Sequence, residues 1–317
     1  MRDASDPAPV LHLRQATRLS RRILADRLSV PEDEWRLRLV QRRGSHGGSL
    51  VFAARRRGEE AASFAVKLFA RPDHARAEFR AAAAARGSAA AVAEPVGFDP
   101  EAGIVVSRWV EGETMGALVR RPGAAAPVAA CGRWLRAFHR PLPARPVSAR
   151  RVLLQRLAAA RAEPIRPGPE REAWLRAAEA LAQRIGAMSP GWCWPVRIHG
   201  DFLPQNLILS GRSPVGVDLC WVRAGSRHLD LARMTIHLLL LPRERGLPSD
   251  YDGAALRHLF LRAYGLRGGQ ARHWLEAAEA VEILVRWASF CREDTWHRRQ
   301  AGRDLVRALA ADRELVR

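Results

Sequence analysis

The chain of 317 residues is 48% hydrophobic and carries a formal charge of +19, so it can bury a sizeable core, and its long-range field attracts anions and repels polycations. Cys131, Cys193, Cys220 and Cys291 are too far apart for a CxxC pair or a zinc cluster; they read as buried thiols in a reducing compartment. The N-terminus has no apolar signal core and the most apolar run, 236–241, is too short for a bilayer span, so the sequence reads as a cytoplasmic protein.

Residues 1–33 read as a polar, basic extension with one amphipathic helix over 14–28, ended by Pro31. Segments 34–43, 50–57 and 63–70 then carry strand periodicity and predict a three-stranded antiparallel meander. The first connection is a Gly-rich turn at 44–48, the second the polar stretch 57–62. Pro72-Asp73 opens an Ala-rich helix that stops at Gly87, and 93–99 and 103–112 supply two more strands. From Glu113 onward the pattern is helical, interrupted by one compact β-region at 196–222. The predicted organisation is an extension (1–33), a strand-rich N-lobe (34–106), a hinge (107–112) and a helical C-lobe (113–317). The arginines are spread along the whole chain, with no basic tail and no aromatic-interleaved RNA motif. They read as solvated helix faces rather than a nucleic-acid site.

In the β-region a short strand leads into His199-Gly200-Asp201, a loop reaches Asn206, and a strand–turn–strand unit ends at Asp218. Two carboxylates and an amide at the ends of short strands are hard oxygen donors suited to Mg²⁺, which takes few carboxylates and fills its shell with water and phosphate oxygens. The pattern therefore points to a magnesium–nucleotide site. A second oddity lies upstream: of 52 Lys and Arg residues only Lys67 is lysine, and it stands inside the apolar run 63–69. A strand lysine can simply snorkel to solvent. An ammonium is, however, a compact point charge where guanidinium is a planar fork, so a chain that otherwise uses arginine keeps a lysine where a tight pocket requires one.

The stretch "HGDFLPQN", eleven residues of strand and turn, and then "VDL" resembles the catalytic core of the aminoglycoside phosphotransferase family, which has the protein-kinase-like fold. "HLDLARM" at 228–234 resembles the family's Asp-Leu-Ala element, and "GRWLRAFHR" at 132–140 its helix ending in histidine. The resemblance implies an α+β, two-lobe fold with a small antiparallel-sheet N-lobe and a larger, mainly helical C-lobe. It implies Asp201 as the catalytic residue that takes the acceptor proton, Asn206 and Asp218 as Mg²⁺ holders, and Asp230 as support for the catalytic loop. His199 reads as a buried structural histidine. Lys67 would contact the α- and β-phosphates of ATP or GTP and pair with Glu78. Gly44, Ser45, Gly47, Gly48 and Ser49 would cover the phosphates, although a plain hairpin turn is the other reading of that segment. Adenine would lie against the hinge near Ser107 and Trp109. "DLC" where protein kinases have Asp-Phe-Gly speaks against a regulated protein kinase.

The implied activity is ATP-dependent transfer of a phosphoryl group to a hydroxyl of a small molecule. Asp250, Asp252, Glu282, Glu293 and Asp294 are the acids available to a cationic acceptor, and each stands near arginines. With the net charge, this favours a neutral or anionic metabolite or sugar over an aminoglycoside. Two rival readings remain: a catalytically quiet nucleotide-binding module, and a lipopolysaccharide-type sugar kinase in peripheral contact with an anionic membrane.

Overall fold

Alternating apolar residues build a sheet whose two faces have different tasks. In the computed structural model, which describes residues 13–43, 48–162, 169–241 and 251–292, α1 (Leu13–Leu28) precedes β1 (Trp35–Arg43), β2 (Ser49–Arg56), β3 (Phe64–Phe69), α2 (Pro72–Ala85), β4 (Pro95–Asp99), β5 (Ile104–Arg108) and the short β6 (Glu113–Thr114). There follow α3 (Met115–Leu118), α4 (Ala125–Phe138), β7 (Val147–Ser148), α5 (Ala149–Ala162), α6 (Pro169–Ala187), β8 (Trp192–Cys193) and β9 (Val196–Ile198). The chain continues through β10 (Leu207–Ser210), β11 (Ser213–Gly216), β12 (Arg223–Gly225), α7 (Arg227–Leu240), α8 (Gly253–Tyr264) and α9 (Gly269–Arg292).

Two compact units emerge, and they do not follow a single cut in the sequence. One comprises the described residues up to Thr114 together with Gln205–Val222; the other comprises Met115–Pro204 and the described residues from Arg223. In the first, five strands pair antiparallel in the order β1-β2-β3-β5-β4. Strand alternation sends Phe64, Val66 and Leu68 to one face, where they join Phe52, Ile104, Val106 and the α1 residues Ala16, Ile23 and Leu24 in one buried cluster. Residues 1–33 were expected as an extension, yet their helix closes the core of this sheet.

The segment 205–222 attaches to the same unit through backbone bonds. β10 pairs with β11 and with β6, Ala93 N–H donates to Gly216 O (2.9 Å) and Gly216 N–H to Ala91 O (2.9 Å). Gly112 makes this approach possible: at φ +139° a Cβ there would sit 2.1 Å from Leu209 O.

The second unit is helical apart from two small ladders, β7 with β8 and β9 with β12; the first of these had no signal in the sequence reading. Gly132 lets α4 approach α8 closely, since a Cβ would meet Phe260 O at 2.7 Å. Trp174 is fully buried and its indole N–H donates to Leu284 O (2.8 Å), joining α6 to α9. Ser226 caps α7 through His228 N–H, and Asp252 caps α8 by accepting from Ala254 and Ala255. That cap is the task of Asp252. Asp250, Glu293 and Asp294 lie outside the described residues. Cys131 is buried as expected, but Cys193 and Cys220 are only part-buried; the side chain of Cys291 is outside the described set.

Candidate active site

The face of the sheet opposite the core lines a cavity of about 370 Å³. The same alternation that buries Val66 sends Ala65 and Lys67 into it. Their ladder partners Ser107 and Val105 on β5, and Val51 on β2 opposite Lys67, line it too. A bulge in β1 between Leu39 and Gln41 adds Val40 and Gln41 to the lining, since an extra strand residue re-aims the side chains next to it. Asn206, Asp218, Glu78 and Trp109 complete the polar and aromatic part of the wall.

Within this cavity Lys67 Nζ donates to Glu78 Oε2 at 2.7 Å and to Asp218 Oδ1 at 2.5 Å. Burial by itself would lower the Lys67 pKa, but the two carboxylates outweigh it and raise the ammonium above its ordinary value. The lysine is therefore charged at every physiological pH. Asp218 sits at φ +62°, in the left-handed region that aspartate tolerates better than most residues. Burial and the Asp218 carboxylate also push the Cys220 thiol up, so it stays protonated. Asn206 is buried, and its main-chain carbonyl accepts Val217 N–H at 2.9 Å, which holds its backbone beside the strand end that carries Asp218.

Ser107 and Trp109 line the cavity, and two amides of the connector are already used. Arg108 N–H donates to Glu94 O (2.8 Å) and Trp109 N–H to Ser63 O (3.0 Å). Gly48 O accepts Ala70 N–H, and Ser49 is buried where β2 begins, paired with Phe69. Ser49 does not line the cavity. Gly44, Ser45 and Gly47 lie outside the described residues.

Asp201, Asp230 and His199 belong to the second unit. Asp230, 1% exposed, accepts the N–H groups of His199 (2.6 Å) and Gly200 (2.9 Å) and meets His139 Nε2 at 2.9 Å. His139 Nδ1 in turn meets the Tyr264 hydroxyl at 2.9 Å. Burial would raise the Asp230 carboxyl, but His139 and the donated N–H groups more than offset this and hold it below the usual range. The backbone just before Asp201 is thus fixed by a buried carboxylate. His199 is fully buried among Trp134, Phe138 and Phe202.

The sequence reading missed what Asp201 touches. Arg233 pairs with Asp201 and reaches Glu282 Oε1 at 3.4 Å; Arg286 meets Glu282 at 3.1 Å, and Arg156 lies 3.8 Å from Glu282 Oε2. Three guanidiniums thus share two carboxylates. Burial, with Arg233, Arg223 and Arg286 nearby, holds the Arg156 pKa below its ordinary value despite Glu282. The available signal was spacing: Arg233 follows Asp230 by three residues on one helix and so shares its face.

The oxygen donors Asn206 and Asp218 fit a hard divalent cation next to an ammonium suited to phosphate. Glu78, Asp218 and Cys220 also group their donor atoms within 4.8 Å, but Lys67 bridges the two carboxylates and a protonated thiol is a poor ligand for magnesium.

The fold has solved counterparts. A choline/ethanolamine kinase family protein from Mesorhizobium loti is similar at 17% identity and TM-score 0.63, over 95% of this chain and 98% of that one. A choline kinase from Cryptosporidium parvum is similar at 12% identity and TM-score 0.64, over 96% and 98%. A thermostable mutant of aminoglycoside phosphotransferase APH(4)-Ia in ternary complex with AMP-PNP and hygromycin B is similar at 13% identity and TM-score 0.60, over 92% and 97%. No curated protein sequence matches the chain. The family model described as the phosphotransferase enzyme family matches residues 46–280. That span takes in Lys67, Glu78, Asp201, Asn206, Asp218 and Asp230, so the chain belongs to the phosphotransferase enzyme family and has the protein-kinase-like fold.

Proposed function

We propose that this phosphotransferase moves the γ-phosphoryl group of ATP or GTP to a hydroxyl of a neutral or anionic small molecule, in the cytoplasm. The observation that carries the reading is Lys67, charged and held between Glu78 and Asp218 in a cavity walled by the sheet. A neighbouring fold in complex with AMP-PNP supports a nucleoside triphosphate as donor, and three free thiols among the described residues support a reducing compartment.

In this reading the acceptor oxygen bonds to the γ-phosphorus, the bond to the β–γ bridging oxygen breaks, and the nucleoside diphosphate leaves. The Asp201 carboxylate orients the acceptor hydroxyl and takes its proton. Lys67 binds the phosphates, with Glu78 fixing its ammonium. Asn206 and Asp218 would hold Mg²⁺, which supplies neutralisation of phosphate charge. Asp230 keeps the loop before Asp201 in place by accepting the N–H groups of His199 and Gly200.

The acceptor class is supported by the surroundings of Asp201. Choline and aminoglycosides are cations and need carboxylates, whereas here arginines outnumber the acids. The test is a screen of neutral sugars, hydroxy acids, sugar phosphates, choline and aminoglycosides, following acceptor-dependent ADP or GDP release with and without Mg²⁺. Turnover of a neutral or anionic acceptor that disappears in Asp201→Asn supports the reading. Nucleotide binding without turnover of any acceptor would replace it with a quiet binding module, and preference for the cations would overturn the acceptor class.

A further inference from the structure

Trp192 and Trp194 are 69% and 63% exposed, unusual for the largest side chain, which is highly buried on average. Cys193 between them points inward, its thiol 3.6 Å from Val147 O, so strand alternation sends both indoles outward. Their segment runs beside another. Trp192 pairs with Ser148, Leu142 N–H donates to Pro195 O (3.0 Å) and Arg197 N–H to Arg140 O (3.3 Å). Segments 140–151 and 190–197 contain Arg140, Arg145, Arg150, Arg151 and Arg197 and no aspartate or glutamate.

Arg140, Arg145 and Arg151 are exposed. Burial, and then the nearby Arg140 charge, lower the Arg197 pKa, and its guanidinium lies 5.1 Å over the Phe138 ring. Arg150 donates to Gly186 O (3.3 Å) and Met188 O (3.1 Å), anchoring the loop that leads into β8. The exposed prolines Pro141, Pro143 and Pro146 restrict the facing backbone, so little ordering is needed on contact.

We propose that this face, with Trp192 and Trp194 flanked by Arg140, Arg145 and Arg151, docks on the surface of an anionic lipid bilayer. Shallow seating of amphipathic rings at headgroup depth needs no cleft. Guanidiniums pair bidentately with lipid phosphates, and an anionic leaflet attracts the basic field of the whole chain. Among the described residues no helix is long and apolar enough to cross a membrane, and the proposed contact is peripheral.

The experiment is co-sedimentation of the full chain with phosphatidylcholine vesicles and with vesicles that also contain phosphatidylglycerol, at low and high salt. Binding should require phosphatidylglycerol and weaken with salt. The double variant W192S/W194S should lose about tenfold in partitioning, and R140Q/R145Q/R151Q about a hundredfold, both with wild-type melting curves because the side chains are exposed. Equal binding to both vesicle types, no vesicle binding, or wild-type partitioning of either folded variant would overturn the proposal. So would binding to RNA or heparin that outcompetes the vesicles and is indifferent to the two tryptophans.

Discussion

The two units each contain a part-buried ion cluster, and the clusters have opposite sign. In the first unit one ammonium faces two carboxylates, Lys67 against Glu78 and Asp218. In the second, three guanidiniums face two carboxylates, with Arg156, Arg233 and Arg286 around Glu282 and Asp201. A surplus of carboxylate accommodates a divalent cation and the phosphates it accompanies; a surplus of guanidinium accommodates an anion. Under the proposed function, this difference separates the two substrates by charge.

The largest expected effect comes from breaking the second cluster at Asp201. Asp201→Asn keeps the shape but removes the proton acceptor, and kcat should fall about 10²- to 10⁴-fold. Nucleotide affinity, which the proposed function assigns to the first cluster, should stay within about twofold in a direct binding titration, since no charge there changes. A matching loss of nucleotide binding would show that Asp201 acts on the first site instead. Next in size is Lys67→Arg, which preserves the charge and replaces a point donor by a fork. Turnover should drop about tenfold or more, roughly 1.4 kcal/mol of transition-state stabilisation, with weaker nucleotide binding. Wild-type kinetics with arginine would mean that the lone lysine has no special task.

These two residues were also the legible ones. Lys67 stands out because every other basic residue is arginine, and Asp201, Asn206 and Asp218 share one short motif. The sheet was legible because alternation at 64–68 sorts a core face from a cavity face in the sequence itself. Other features left no such trace. The attachment of 205–222 to the first unit runs through main-chain bonds of Gly216 with Ala91 and Ala93, which no side chain encodes. Val40 enters the cavity through a bulge, a shift that period-two reading cannot see. Arg233, Arg156 and Arg286 were hidden by abundance, since in a chain with 52 basic residues no single arginine is distinctive.

The smallest effect probes the guanidinium surplus through a reporter beside it. His237 on α7 has its pKa lowered to about 3, first by burial and then by Arg286, Arg120 and Arg233. Arg286→Gln removes one of those charges, so the His237 pKa should rise toward its ordinary value in an NMR titration. A histidine whose folded-state pKa lies below its unfolded value changes nothing above about pH 6.5 and costs stability as pH falls from there toward the folded pKa. The wild-type protein should therefore lose up to about 1.4 kcal/mol per pH unit from this group over that window. The buried His228, lowered to about 4 chiefly by burial, adds a parallel loss down to about pH 4. Arg286→Gln should flatten the His237 part and leave the His228 part, because Arg286 is not among the charges acting on His228. The same substitution should raise KM for an anionic acceptor by a few fold, about the value of one part-exposed charge, and leave KM for a neutral one unchanged. If the histidine titration moves but no acceptor KM does, the surplus is an internal packing charge and the acceptor binds elsewhere in the second unit.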